Sequence, residues 1–255
     1  MPKLSVTVIT KNEAADIAAA LDSVRWADEI IVVDSGSSDA TTTIASRYTD
    51  RVVVRAWQGY VDQKNAAALL ATHDWILSVD ADERVTQALA AEIRGTLEQT
   101  PVHAAFRMPR VTWHLGRWIR TTDWYPDYQV RLYNRTRAHW TGGRVHEGVA
   151  VAGSLGTLSN ELQHHPYRDI AEHVETIDRY TTLAAQTMHE RGARAGWLRL
   201  LGHPPLAFLR NYILRRGFQD GKVGLIVSAM NAYYVCLKFA KLWELQRAET
   251  RPGQV

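Results

Sequence analysis

Trp75-Ile76-Leu77-Ser78-Val79-Asp80-Ala81-Asp82-Glu83 decides how the rest of the chain is read. An apolar run rich in strand-forming residues stops abruptly at three carboxylates within four positions. Such a run reads as a buried strand that carries its polar groups at its C-terminal edge, where open parallel sheets bind ligands. Period-2 alternation puts Asp80 and Asp82 on the same side, so both can converge on one hard cation. The plainer alternative is a strand end, a turn and a helix start, all of which also favour Asp.

Upstream, the same arrangement repeats. Leu4–Thr10 is a β-branched run ending at Lys11-Asn12-Glu13, and Glu29–Asp34 is a second run ending at an acid. Helices are predicted over Ala14–Arg25, from Asp39 to Tyr48, and over Tyr60–Ala71, with a short strand at Arg51–Arg55. Downstream, Thr86 caps a helix through Leu97. Strands alternating with helices at this spacing predict βαβ units and a parallel sheet. Right-handed crossovers then bring Glu13, Asp34, Asp80 and Asp82 to one rim. Neither a Gly-x-Gly-x-x-Gly after the first strand nor a Gly-x-x-x-x-Gly-Lys-Ser/Thr occurs, which argues against dinucleotide and P-loop sites.

Beyond Pro101 the pattern becomes irregular. Strands are predicted at Ala104–Arg110 and Tyr128–Tyr133, and a long helix over Ile170–Glu190. The chain therefore reads as α/β, with residues 1–100 as a ligand-binding half, 101–195 as the other half of the same domain, and 196–255 as a basic amphipathic helical extension. At 255 residues it can bury a sizeable core, and 46% hydrophobic and 22% charged residues are ordinary for a globular protein. The single Cys236 cannot form an intrachain disulfide, and no cleavable leader is apparent, so a cytoplasmic location is expected. A net charge of +3 is too small to argue for nucleic acid. Between Glu190 and Lys241, however, nine Lys/Arg face two acids, a net of +7 that leaves −4 for the remainder.

Three ordered segments carry a resemblance. Val6–Glu13, Ile31–Asp39 and Asp80-Ala81-Asp82 are similar to the signatures of the family 2 glycosyltransferases, and Lys64-Asn65 resembles the basic-Asn pair between the last two. Tyr128–Tyr133, Gly143–Glu147 and Ala232-Tyr233-Tyr234 through Lys241-Leu242-Trp243 resemble the branch that adds glucose to the lipopolysaccharide inner core. The resemblance implies a Rossmann-like nucleotide-diphospho-sugar transferase domain, an inverting mechanism and a divalent metal, Mg²⁺ or Mn²⁺. It implies that Thr10, Asn12 and Glu13 line the nucleoside pocket, that Asp34 accepts from the uracil N–H, and that Lys64, with Asn65, lies near base and phosphates. Asp80 would sit near the ribose and metal, and Asp82 would bind the metal, with His146 completing the site and His164-His165 as a competitor. Inversion needs a carboxylate base on the acceptor side. Asp127 is favoured by its place before the Gln129–Arg131 strand, with Asp123 and Glu147 as alternatives.

The expected reaction moves a hexose, glucose from the nucleotide-sugar donor UDP-glucose, to a lipopolysaccharide core or similar lipid-linked oligosaccharide acceptor. The longest uncharged stretch of the tail, Val223–Leu237, is 15 residues, short of the roughly 20 that span a bilayer. Aromatic and basic residues mixed through Leu206–Lys241 instead suggest helices lying peripherally on an anionic membrane, on the inner face of the inner membrane. A helical hairpin packed on the domain or a dimer contact is the alternative for the tail. For function, the alternatives are transfer to a polyprenyl phosphate and a non-catalytic membrane-associated nucleotide-sugar binder.

Overall fold

The computed structural model describes residues 2–142 and 147–250. Apart from the added strand β5, the first half alternates as the sequence predicts: β1 (Leu4–Thr10), α1 (Ile17–Asp22), β2 (Glu29–Asp34), α2 (Thr41–Ala45), β3 (Val52–Val54), α3 (Tyr60–Leu70), β4 (Trp75–Asp80), β5 (Glu83–Val85) and α4 (Gln87–Glu98). Then come β6 (Ala105–His114), β7 (Arg117–Ile119), β8 (Asp127–Asn134), β9 (Ala138–Gly142), β10 (Glu147–Val151), β11 (Leu155–Thr157) and β12 (Leu162–His164). The helices α5 (Ile170–Glu190), α6 (His203–Leu209) and α7 (Gly221–Thr250) complete the chain. It divides into two compact units, one of Met1–Val111 with Asp127–His165, the other of Thr112–Pro126 with Pro166–Val255.

In the first unit the strand order is β3-β2-β1-β4-β8-β6-β12-β5. The four strands from β3 to β4 pair in parallel, and β8 then enters antiparallel to both β4 and β6. Register fixes the rim: Thr10 pairs with Asp34, and Ile9 with Asp80. Alternation along β1 and β4 sends Val6, Val8, Leu77 and Val79 into a cluster with Ile17, Leu21, Leu89 and Ile93 of α1 and α4. The opposite face joins Ile9, Ile31, Val33 and Ile76 to Ala67, Ala68 and Ala71. Each large aliphatic side chain buried this way contributes roughly 1.5–3 kcal/mol. The small alanines let α3 lie close on the sheet, so the buried Lys64 of the same helix reaches the rim.

β4 stops at Asp80, and a turn at Ala81-Asp82 leads directly into β5. The alternation expected across Asp80 and Asp82 therefore ends one residue short, and Glu83 becomes a fully buried strand residue. Thr86 caps α4 as read, its Oγ1 accepting from the Leu89 N–H at 3.1 Å.

The second unit is mainly helical. Asp169 caps α5 by accepting from the Glu172 N–H at 2.9 Å. Along α5 lies α7: Lys241 Nζ reaches Asp178 Oδ1 at 2.7 Å and Thr182 Oγ1 at 2.6 Å, while Ala185, Phe239 and Leu242 form a small core. Instead of the helix pair expected over Leu206–Lys241, α6 is a short helix between two π-helical turns, Leu198–Gly202 and Arg210–Leu214. Pro204 and Pro205 at its start lack N–H groups, which removes α-helical donors there and favours the wider turn before them. By length and composition Gly217–Ala248 is a candidate span of 32 residues, with mean hydropathy 1.5 in a window of which 22% is buried.

Candidate active site

Two regions of the first unit make up the rim. The first joins the ends of β1 and β2 through hydrogen bonds to backbone N–H groups and hydroxyls, with no ion pair among those described. Asn12 takes a left-handed backbone, φ 57°, which Asn tolerates better than most residues. Its side-chain oxygen accepts from the Ser38 N–H at 2.8 Å, and its own N–H donates to Ser37 Oγ at 2.8 Å. Glu13 N–H donates to Thr41 Oγ1 at 2.8 Å, and Ala14 N–H to Asp39 Oδ2 at 3.1 Å. Asp34 is buried and caps its own loop: Oδ2 accepts from the N–H groups of Gly36 at 2.9 Å and Ser37 at 2.8 Å, and Oδ1 from the Ser37 hydroxyl. Beside it the Thr10 hydroxyl is buried with no hydrogen-bond partner among the described residues.

The second region is a chain of ion pairs. Lys64, 1% exposed, places Nζ 2.7 Å from Glu147 Oε1 and 3.0 Å from Asp80 Oδ1, over the Trp140 ring at 4.3 Å. Arg131, equally enclosed, reaches Asp80 Oδ2 at 2.5 Å and Glu83 Oε1 at 2.6 Å. Glu83 Oε1 also accepts from Arg110 at 3.0 Å, and Glu83 Oε2 from the Asp80 N–H at 3.1 Å. Arg110 then grips Asp127 Oδ2 through Nη2 at 2.6 Å and Nε at 2.9 Å, while Gln129 donates to Asp127 Oδ1 at 2.7 Å. Burial alone would raise the Asp80 pKa, but Arg131 and Lys64 outweigh it and hold the carboxyl well below the usual range. Burial likewise opposes the charge on Arg131, and Asp80 and Glu83 more than restore it, so its pKa is raised. The charges persist because each is paired.

At the open end stands Asp82, with Oδ2 3.3 Å from His164 Nε2 and its backbone oxygen accepting from the His165 N–H at 2.9 Å. Burial pushes the Asp82 carboxyl up, and the facing His164 outweighs this, leaving its pKa lowered. Among the described residues no three His, Cys, Asp or Glu side chains gather to hold a metal by themselves. Asp80 has both oxygens committed to cations. Asp82 and His164 together still offer a carboxylate and an imidazole, a donor set that fits a divalent ion completed by substrate phosphates and water.

The structure thus gathers Lys64, Asp80, Asp127 and Glu147 into one linked cluster, with Asp82 beside His164. Asp123 lies in the second unit, where Arg210 at 3.1 Å, Arg215 at 3.4 Å and Asn211 at 3.1 Å surround its carboxylate. Asn65 spends its amide on the Trp140 backbone, donating to the carbonyl and accepting from the N–H, both at 2.9 Å. His146 lies outside the described residues. Sequence reasoning passed over Glu83, Arg110, Arg131 and Trp140. The only signal for the first was the third acid of the quoted stretch.

A curled, mostly parallel sheet with acids along its carboxyl edge and a helical C-terminal part defines a Rossmann-like α/β transferase fold. Residues 5–154 match glycosyl transferase family 2, and the chain belongs to that family. It is 29% identical to the lipopolysaccharide core biosynthesis glycosyltransferase LpsC of Rhizobium meliloti, over 99% of this chain and 97% of that one. An uncharacterized glycosyltransferase of Rickettsia felis is 32% identical over 96% of this chain and 90% of its own length. Among solved structures, glucosyl-3-phosphoglycerate synthase of Mycobacterium tuberculosis in complex with Mg²⁺ and UDP aligns with a TM-score of 0.50 at 17% identity, over 75% of this chain and 80% of that one. Residues 1–349 of S. aureus TarS in complex with UDP-GlcNAc align with a TM-score of 0.50 at 14% identity, over 97% and 91%. Those two likenesses concern the fold.

Proposed function

We propose that this glycosyltransferase moves a hexose, glucose from UDP-glucose, with inversion onto a lipopolysaccharide core or similar lipid-linked acceptor. The near-full-length similarity to a lipopolysaccharide core transferase supports the acceptor class. The observation that carries the donor class is the charge of the rim. Among the described residues, Asp80, Asp82, Glu83, Asp127 and Glu147 are matched by Lys64, Arg110 and Arg131, a formal −2 with histidines set aside. A diphosphate cannot approach such a rim without a counter-ion. Asp82 and His164 would hold a divalent ion, which when bound neutralises the departing diphosphate.

In this reading the β1 and β2 ends, with Thr10, Asn12, Glu13 and Asp34, receive the nucleoside. Asp34 serves mainly by fixing the Gly36-Ser37 backbone beneath the base. Lys64 and Asp80 orient one another beside the ribose and phosphates, and Asn65 holds Trp140 under Lys64. Asp127 takes the proton from the acceptor hydroxyl. A neutral amide on Oδ1 and partial exposure leave that oxygen more available than the Lys64-bound oxygen of Glu147. Residues 1–100 then serve the donor, 101–195 the acceptor, and 196–255 the membrane-facing extension of a peripheral protein on the cytoplasmic face of the inner membrane.

Calorimetry with UDP, with and without Mn²⁺, tests the reading. Binding should require the ion, and no metal-dependent binding at millimolar UDP would sink it. A hydrolysis screen across UDP-sugars then identifies the hexose, which differences of a few kcal/mol decide.

A further inference from the structure

The second unit carries a surface that catalysis does not use. Residues 191–219 contain six arginines and no acid. Within the same stretch Trp197 is 78% exposed, Leu198 79% and Leu214 76%, with Leu201 and Leu206 also exposed. Apolar groups this large are not usually left together in water by a soluble protein. The π-helical turns on either side of α6 account for the display, because an extra residue per turn rotates successive side chains out of the regular helical stripe. By contrast α7, the segment that composition marks as a candidate span, has Phe239 and Leu242 buried against α5 and its Lys241 tied to Asp178.

We propose that residues 191–219 are the membrane-docking surface of this protein, that the partner is an anionic lipid headgroup layer, and that α7 serves as scaffold for it. A run of arginines with no acid between residues 191 and 219 matches a negative headgroup layer. Large aliphatic side chains and an indole beside them match the acyl boundary. Two arginines of the stretch, Arg210 and Arg215, already face Asp123, so Arg191, Arg194, Arg199 and Arg216 carry the attraction. A segment of this kind lies in the interface, so salt should weaken it over the Debye length of about 10 Å at 0.1 M. The inference rests on the proposed lipid-linked acceptor for its purpose.

Flotation with vesicles of phosphatidylcholine, alone and mixed with phosphatidylglycerol, tests it with the full chain and no acceptor or donor. The wild type should bind only the anionic vesicles. Arg194→Gln with Arg216→Gln should weaken binding roughly 25-fold, at about fivefold per arginine. Leu198→Ser with Leu214→Ser should abolish it, and both variants should keep wild-type UDP affinity, which shows that they fold. Binding to neutral vesicles alone, or unchanged binding by both variants, overturns the proposal. So does membrane-bound protein that only detergent releases, the mark of a spanning α7, or a wild-type dimer that the leucine variant dissociates. Loss of metal-dependent UDP binding would instead overturn the donor reading and leave vesicle binding untouched.

Discussion

Two buried clusters, one in each unit, hold titratable side chains in opposite ways. In the first, Asp80, Glu83, Arg110 and Arg131 stay charged, each hydrogen-bonded to a partner of the other sign. In the second, His114 and His173 pack together at 5.0 Å between ring centroids, with Tyr167 stacked on His173 at 4.3 Å. Neither nitrogen of His114, nor Nδ1 of His173, has a hydrogen-bond partner among the described residues. Burial, helped by the neighbouring His114, pushes the His173 pKa down to about 4. One region keeps charge by pairing it and the other expels the proton. The paired region can do electrostatic work on a substrate, whereas the neutral one contributes packing.

The most severe way to break the paired region is at its open end. Asp82→Ala should abolish turnover while circular dichroism and thermal midpoint stay near wild type, since it removes a rim ligand and no core volume. Activity restored simply by raising metal concentration would show that Asp82 is not a ligand. Asp127→Asn should lower kcat by a factor of roughly 10² to 10⁴ with UDP affinity unchanged. A variant within about threefold of wild type would pass the role of base to Glu147 or Asp123.

Glu83→Gln probes the pairing itself. It keeps the shape but leaves Arg110 and Arg131 short of a counter-charge in a buried place, and should cost about 3–5 kcal/mol in urea unfolding. A loss below 1 kcal/mol would mean that solvent already screens the chain.

The mildest test separates the regions by pH. His173 is neutral when folded and has an ordinary value of about 6.5 when unfolded. Its stabilisation is therefore complete above that pH and is lost as pH falls toward 4, by up to about 3 kcal/mol. Asp80, depressed rather than raised, holds its contribution until pH drops below the ordinary carboxylate value near 3.9. His165, also pushed to about 4 by burial, titrates in the His173 window. His114 beside it, its pKa also lowered by burial, shares the window, so His173→Phe should reduce the slope of stability between pH 6.5 and 4 without abolishing it. An unchanged slope would show that the cluster admits a proton without cost.

Much of this was legible in sequence because it is local. The apolar runs of β1, β2 and β4, the Thr86 cap and the extent of α5 all follow from residues within a few positions of one another. Acids at strand ends likewise announced the rim. What escaped was long-range or depended on a turn. Glu83 and Arg131 are 48 positions apart, and nothing in either neighbourhood indicates the other. The turn at Ala81-Asp82 separates two carboxylates that a continued strand would have aligned. In the tail, composition disclosed the basic and apolar character. The π-helical turns that decide which side chains face outward left no comparable trace.

One side chain governs a whole hairpin. Asn65 offers Trp140 the same donor and acceptor that a neighbouring peptide group would, so α3 supplies one rung of ladder to β9 without being a strand. The hairpin of β9 and β10 pairs only with itself among the described strands, and it delivers Glu147 to Lys64. That rung behaves as a latch. Asn65→Asp would swap its donor for an acceptor facing the Trp140 carbonyl, leaving the hairpin to the packing of Ala138, Trp140, Val149 and Val151 and to the Lys64–Glu147 pair.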